Sequence, residues 1–162
     1  MQFTETQKFR QWWLWLILVF TIVAMPLSLT GWLSKETRTP VGVFEIALIC
    51  GVPVLVLILF SLLRLETRID SVGVHYRFFP VHFSEKTILW DEIEGAAVRK
   101  YKPIREYGGW GFRHGYKHGK ALNVSGDMGL QLMLKTGKKL LIGTQKAEEM
   151  ELTLRDLGRF PL

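Results

Sequence analysis

The residues whose types and spacing could do chemistry are concentrated in one stretch, residues 100–120, KYKPIREYGGWGFRHGYKHGK. It holds six lysines and arginines, five aromatic residues and five glycines against one acid, Glu106. Cations bind carboxylates and phosphates, aromatic rings supply contact area, and glycines allow backbone shapes closed to other residues. This composition predicts a binding loop. Its candidate contact residues are Arg105, Tyr107, Trp110, Phe112, Arg113, Lys117 and Lys120.

Several interpretations of this loop are open. It could hold a protein partner or a second copy of the chain, because Trp, Tyr and Arg dominate binding hot spots. It could also place Trp110 and Phe112 in a membrane interface while its cations meet anionic lipid headgroups. Nucleic-acid binding by stacking and phosphate contact is the weakest option, and we expect no nucleic acid as partner. The structural alternative is an ordered loop whose rings pack on the fold.

Motifs for catalysis, cofactors and metals are missing from the sequence. Residues 108–111, GGWG, lack the Lys-Ser or Lys-Thr pair and the flanking elements of a phosphate-binding glycine loop. His114 and His118 have a zinc-binding spacing for a helix, but Gly115 and Gly119 argue against a helix there. No Ser, Cys or Thr stands in a pattern that indicates a catalytic triad. We therefore expect no enzyme, no cofactor and no metal.

Two long apolar runs precede the loop and dominate the N-terminal third of the chain. Residues 12–33 carry no charge, and residues 41–63 carry one, Glu45. About 20 helical residues at about 1.5 Å each cross a hydrocarbon layer roughly 30 Å thick. The sequence therefore predicts an N-terminal transmembrane hairpin over residues 1–64, with one span in each run.

Basic residues near the two runs predict the orientation of this hairpin. Lys8 and Arg10 precede the first run, and Arg64, Arg68 and Arg77 follow the second, whereas the link between the runs carries only two cations. Lysines and arginines favour the cytoplasmic side of a membrane. We therefore expect a multi-pass protein of the inner (cytoplasmic) membrane with both termini in the cytoplasm.

After residue 64 the pattern changes to short alternating segments divided by turn residues, which indicates β-strands. Residues 70–73, DSVG, predict a hairpin turn, and Ile88, Trp90 and Ile93 predict a core segment. A closing helix is expected over residues 145–157, because its apolar residues recur at spacings of three and four. The sequence thus predicts an α+β membrane protein whose cytoplasmic domain, residues 65–162, holds six or seven strands and one helix.

The Ile-x-Trp-x-x-Ile segment, the short strands, the closing helix and the two preceding helices resemble bacterial membrane proteins in which a two-helix hairpin precedes a PH-like (bacterial pleckstrin-homology) domain. The segments EYGGWGFR and LIGTQKAEE look like that group as well. The resemblance covers about residues 67–157 and implies an antiparallel β-barrel or sandwich closed by one C-terminal amphipathic helix. It also implies a scaffold without catalytic residues that binds peptides, lipids or copies of itself. Inositol-lipid recognition is not implied, because the first hairpin loop lacks the basic motif for it.

These observations predict a non-catalytic, membrane-anchored binding or assembly module at the cytoplasmic face of the membrane. Its partner would be a protein or a second copy of the chain, contacted through residues 100–120, with the lipid bilayer as its anchor. One alternative is an accessory subunit of a membrane enzyme or transporter that acts through Glu45. The other is a module that binds anionic lipid headgroups.

Overall fold

The computed structural model describes residues 2–9, 12–33 and 43–158. The chain forms two compact units, which we call the helix unit, Arg10–Leu62, and the sheet unit, Met1–Phe9 with Leu63–Leu162. The helix unit consists of α1, Trp12–Leu33, and α2, Val43–Leu62, which contact each other. All other elements belong to the sheet unit.

The structure contradicts the predicted transmembrane hairpin. In the part of the chain that is described, no helix is both long and apolar enough to cross a membrane. The same finding contradicts the predicted inner-membrane location and the resemblance to a membrane-anchored family. The side chain of Glu45 lies outside the described residues.

The first sheet is a meander in which every neighbouring pair is antiparallel, in the order β1-β2-β3-β4. The predicted hairpin turn joins β2 to β3, and the Asp70 carboxylate accepts hydrogen bonds from the amides of Val72 and Gly73 at 2.9 and 3.2 Å. The strands are β1 Phe3–Lys8, β2 Arg64–Ile69, β3 Gly73–Phe79 and β4 Lys86–Leu89.

The second sheet has five strands in the order β5-β8-β9-β7-β6. Its β7–β9 pair is parallel and its other pairs are antiparallel. A 3-10 helix, Trp90–Glu92, separates β4 from β5 and so divides the two sheets. The strands are β5 Ile93–Lys100, β6 Gly111–Gly115, β7 Gly119–Asn123, β8 Met128–Leu134 and β9 Lys139–Gly143.

The predicted antiparallel barrel is wrong for the described part of the chain. Neither sheet closes on itself, because β1 and β4 are edge strands of the first sheet and β5 and β6 are edge strands of the second. No strand of one sheet pairs with a strand of the other within the described residues. The sheet unit is therefore an α+β arrangement of two open sheets, which also departs from the PH-like fold that the resemblance implies.

The closing helix lies where the sequence predicts it, and of the predicted core segment Ile88 and Trp90 are buried whereas Ile93 is half-buried. Helix α4, Ala147–Asp156, buries Met150 and Leu154 and contacts β1 and β5. Trp90 is 6% exposed, and its indole N–H donates to the backbone carbonyl of Asp70 at 2.8 Å. Burial of these apolar side chains is the main stabilising contribution to the sheet unit.

Strand β1 was not predicted from the sequence, and its inward side chains connect it to the far end of the chain. Phe3 is fully buried, and the buried carboxylate of Glu5 accepts one hydrogen bond from the Thr144 hydroxyl at 2.6 Å and one from the Gln145 amide at 2.9 Å. Gln7 donates to a backbone carbonyl at the end of β9 at 2.7 Å. These hydrogen bonds attach the first strand to the segment between β9 and α4.

Candidate functional site

The predicted binding loop is largely regular structure. It contains the short helix α3, Pro103–Tyr107, followed by β6, a three-residue turn and β7. Pro103 begins the helix, where its missing N–H costs nothing. Gly108 ends it in the left-handed region, with a φ of 74°, which glycine adopts at little cost. These residues turn the chain so that α3 and the β6–β7 turn come together beside the second sheet.

A cavity of about 620 Å³ lies between α3, the β6–β7 turn and strands of the second sheet, and we call it the helix cavity. Three of its cations, Lys102, Arg105 and Lys139, take part in no ion pair within the described chain. Its lining residues are Arg99, Lys102, Arg105, Glu106, His118, Gln131, Met133 and Lys139.

The single carboxylate of the helix cavity is fully engaged by neighbouring groups. Arg99 donates to one oxygen of Glu106 at 2.7 Å, and the Lys102 amide donates to the other at 2.8 Å. Burial raises the pKa of Glu106, but these hydrogen bonds and the charges of Arg99 and His118 outweigh burial and lower it. Arg99 also donates twice to the side-chain oxygen of Gln131, at 3.1 and 3.2 Å. Glu106 therefore neutralises Arg99 and leaves the other cations free for a ligand.

A second cavity of about 480 Å³, the strand cavity, adjoins the β6–β7 turn and includes Lys139 as well. It is lined by four lysines and no acid. Its lining residues are Tyr76, Ile88, His114, Gly115, Tyr116, Lys117, Gly119, Lys120, Leu134, Gly137, Lys138, Lys139 and Leu140. The local charge affects a neighbouring histidine, because burial lowers the pKa of His82 and the charges of Lys86 and Lys120 lower it further.

Lys139 lines both cavities and so joins them into one surface. We call this surface the basic face and define it by its six exposed cations, which make no ion pair within the described chain. They are Lys102, Arg105, Lys117, Lys120, Lys138 and Lys139.

The structure separates the predicted contact residues into three groups. Arg105 lines the helix cavity, and Lys117 and Lys120 line the strand cavity. Phe112 and Arg113 lie on the exposed part of β6. Tyr107 and Trp110 form the third group, because their phenol and indole groups are hydrogen-bonded within the fold.

Trp110 and Tyr107 both hold neighbouring segments of the chain together. The indole N–H of Trp110 donates to the carbonyl of Gly126 at 3.0 Å. Tyr107 is only 4% exposed, and its ring meets that of Tyr101 edge to face at 6.0 Å. Burial raises the pKa of Tyr101 to about 12, although a hydrogen bond from Asn123 acts in the opposite direction. Tyr101 is therefore a neutral phenol in a core cluster at physiological pH.

The basic face can bind anions through permanent charges. Among the described residues, no group of three or more His, Cys, Asp or Glu side chains is arranged to hold a metal ion. The face also includes Lys138 and Lys139, which residue patterns alone did not mark as part of a site. A signal for α3 was present in the sequence, since a proline at the first helical position, Pro103, and an acid in the first turn, Glu106, are typical of a helix start.

No protein-family model matches the chain, and no curated protein is similar to it.

Proposed function

We propose that this protein is a non-catalytic binding module that recognises an acidic segment of a protein partner through the basic face. The observation that carries the proposal is the imbalance of charge around the two cavities. Seven different lysines and arginines line them against the single carboxylate of Glu106, which is already paired with Arg99. Clustered cations of one sign attract an oppositely charged partner and orient its approach.

A protein partner fits this surface better than a point anion would. The cations belong to two adjoining cavities, so a ligand that meets all of them must present several negative charges along its length. Rings are exposed at and beside the surface, because Tyr116, which lines the strand cavity, is 99% exposed and Phe112 of the neighbouring β6 is 44% exposed. Aromatic residues and arginine are enriched in protein interfaces. An acidic polypeptide with apolar side chains between its carboxylates would use both properties.

Charge reversal of the basic face tests the proposal with the full chain. The probe is a fluorescein-labelled peptide of ten glutamates, and binding is measured by fluorescence anisotropy. Arg105→Glu combined with Lys139→Glu places one reversal in the helix cavity and one at the residue common to both cavities. Each exposed ion pair contributes about 0.2–1 kcal/mol, so exchanging two attractions for two repulsions weakens binding by about 2 kcal/mol, or about 30-fold.

The control is Lys8→Glu, which reverses an exposed lysine of β1 that lines neither cavity and is expected to leave affinity unchanged. Binding of the peptide by the double variant as tightly as by the unaltered chain would overturn the proposal. The partner class is tested in parallel with a uridylate decamer and with phosphatidylglycerol vesicles. Tighter binding of either probe than of the peptide at the same salt concentration would show that the face recognises nucleic acid or lipid instead.

A further inference from the structure

Strand β6 forms the edge of the second sheet next to the basic face. Strand β6 pairs with β7 on one side only, with Gly111 opposite Asn123 and Gly115 opposite Gly119. In the described part of the chain, no strand pairs with the other side of β6, and no backbone hydrogen bond from another element reaches residues 112–114. Alternate peptide groups of an edge strand point away from its neighbour and are free to pair with an added strand.

The side chains of this edge carry positive charge and one exposed ring. Phe112, Arg113 and His114 are all exposed, and residues 110–122 contain no acid. Successive strand residues face opposite sides of a sheet. Phe112 and His114 therefore share one side, on which Phe112 also meets the ring of His82 at 5.8 Å, and Arg113 lies on the other.

We propose that the free edge of β6 takes an extended acidic segment of a protein partner as a sixth strand of the second sheet. This inference rests on the proposed function and adds the conformation in which the partner binds. Main-chain hydrogen bonds would supply affinity, as in other cases of strand addition, and the charges of the basic face would supply selectivity. Carboxylates on the side of Arg113 and apolar residues on the side of Phe112 would match the edge.

The charge of the edge argues against a second copy of this chain as the added strand. Two β6 strands paired antiparallel about their central residue would place the Arg113 side chains of the two copies opposite each other. Like charges opposite each other destabilise a strand pair, and basic edge residues are a known protection against self-pairing. An acidic strand meets the same residues with attraction.

The test compares how tightly the full chain binds two peptides of the same charge. The first is a fluorescein-labelled heptapeptide of alternating glutamate and valine, Glu at both ends. The second has N-methyl groups on two neighbouring central residues, which removes a donor from each edge of the peptide and leaves its carboxylates unchanged. We expect the N-methylated peptide to bind at least 10-fold more weakly. Hydrogen exchange should slow at the outward amides of β6 when the first peptide is bound, and not when the second is added.

The outcomes separate this inference from the function on which it rests. Equal affinity for the two peptides, together with loss of binding in the Arg105→Glu, Lys139→Glu variant, would overturn strand addition and retain the proposed function. Failure of both heptapeptides to bind, with the ten-glutamate peptide still bound through the basic face, would overturn strand addition alone, and failure of all three peptides would overturn both proposals. Dimerisation of the chain with slowed exchange in β6 and no peptide present would show that the edge serves a second copy, which also overturns this inference.

Discussion

Two tryptophans of the sheet unit make the same hydrogen bond in different surroundings, and this allows a matched test of what holds the unit together. Trp90 donates to the carbonyl of Asp70 at 2.8 Å and is 6% exposed. Trp110 donates to the carbonyl of Gly126 at 3.0 Å in an exposed setting. Phenylalanine at either position removes the N–H and keeps an aromatic ring. The two substitutions therefore differ mainly in burial.

The expected loss of stability follows from that difference. For Trp90→Phe, a part-buried carbonyl loses its donor, which costs about 1–2 kcal/mol, and a smaller ring leaves unfilled space that costs about 1 kcal/mol more. For Trp110→Phe, water replaces the lost donor, and the cost should stay below about 1 kcal/mol. We thus expect Trp90→Phe to reduce the free energy of unfolding of the sheet unit by about 2–3 kcal/mol.

Hydrogen exchange followed by mass spectrometry on the full chain is the suitable assay, because it reads the sheet unit separately from the helix unit. Where amides exchange through unfolding of the unit, a loss of 2–3 kcal/mol accelerates exchange in β2 and β3 by about 30- to 150-fold. Trp110→Phe should accelerate it by less than about 5-fold. Equal effects of the two variants would refute the role of burial, and no effect of Trp90→Phe would refute its place in the core.

The remaining predictions concern three other positions in the sheet unit. Gly73→Ala should disrupt the pairing of β3 with β4, because a Cβ there would lie 2.2 Å from the Ile88 carbonyl oxygen. Hydrogen exchange of the β4 amides should then become as fast as in an unpaired strand. Glu5→Gln should lower stability by about 1–2 kcal/mol, since an amide cannot accept both of the carboxylate's hydrogen bonds, including that from Thr144; urea unfolding should show the loss, and an unchanged midpoint would contradict it. The pKa of Glu106 is lower in the folded state than in the unfolded state, so its stabilising contribution is present above the unfolded pKa and is lost as the pH falls through the folded pKa. Glu106→Gln should therefore make the free energy of unfolding less sensitive to pH in that acidic range. Identical pH profiles of stability for the two proteins would argue against this role of Glu106.

Some elements of the sheet unit could be predicted because the residues that determine them are close together in the sequence. The turn at residues 70–73 pairs a glycine with an aspartate that caps the neighbouring amides, and both features are local. Trp90 lies between two isoleucines at core spacing, and such a pattern indicates burial without knowledge of the partner strands. Met150 and Leu154, four residues apart on α4, likewise indicate the buried side of a helix from their spacing alone.

Strand β1 could not be predicted, because two of its inward residues are polar. Glu5 and Gln7 alternate with exposed residues as in any half-buried strand, but their burial depends on Thr144, Gln145 and the end of β9, far away in the chain. A pattern based on apolar residues does not register such a strand. The hydrogen bonds that make its burial acceptable exist only in the folded protein.

The strands within residues 100–120 were missed for a different reason. The central residues of β6 are exposed on both faces, so the strand lacks the alternation that marks a half-buried one. Only part of the basic face could be predicted from the sequence, because β9 supplies Lys139 to both cavities from a position outside the predicted loop. The composition of the loop predicted anion binding, and the arrangement of its cations depends on sheet topology.

The pairing of β1 with β2 has a consequence for the order in which the protein assembles during synthesis. The nearest paired residues of the two strands, Lys8 and Arg64, are 56 positions apart, and the whole helix unit is translated between them. The carboxylate of Glu5 meets its partners later still, because Thr144 and Gln145 follow it by 139 and 140 positions. Closing such long loops is slow compared with forming local hairpins. Strand β1 is thus synthesised well before its partners and is expected to pair later than the local hairpins, and until then the edge of β2 stays open to other chains.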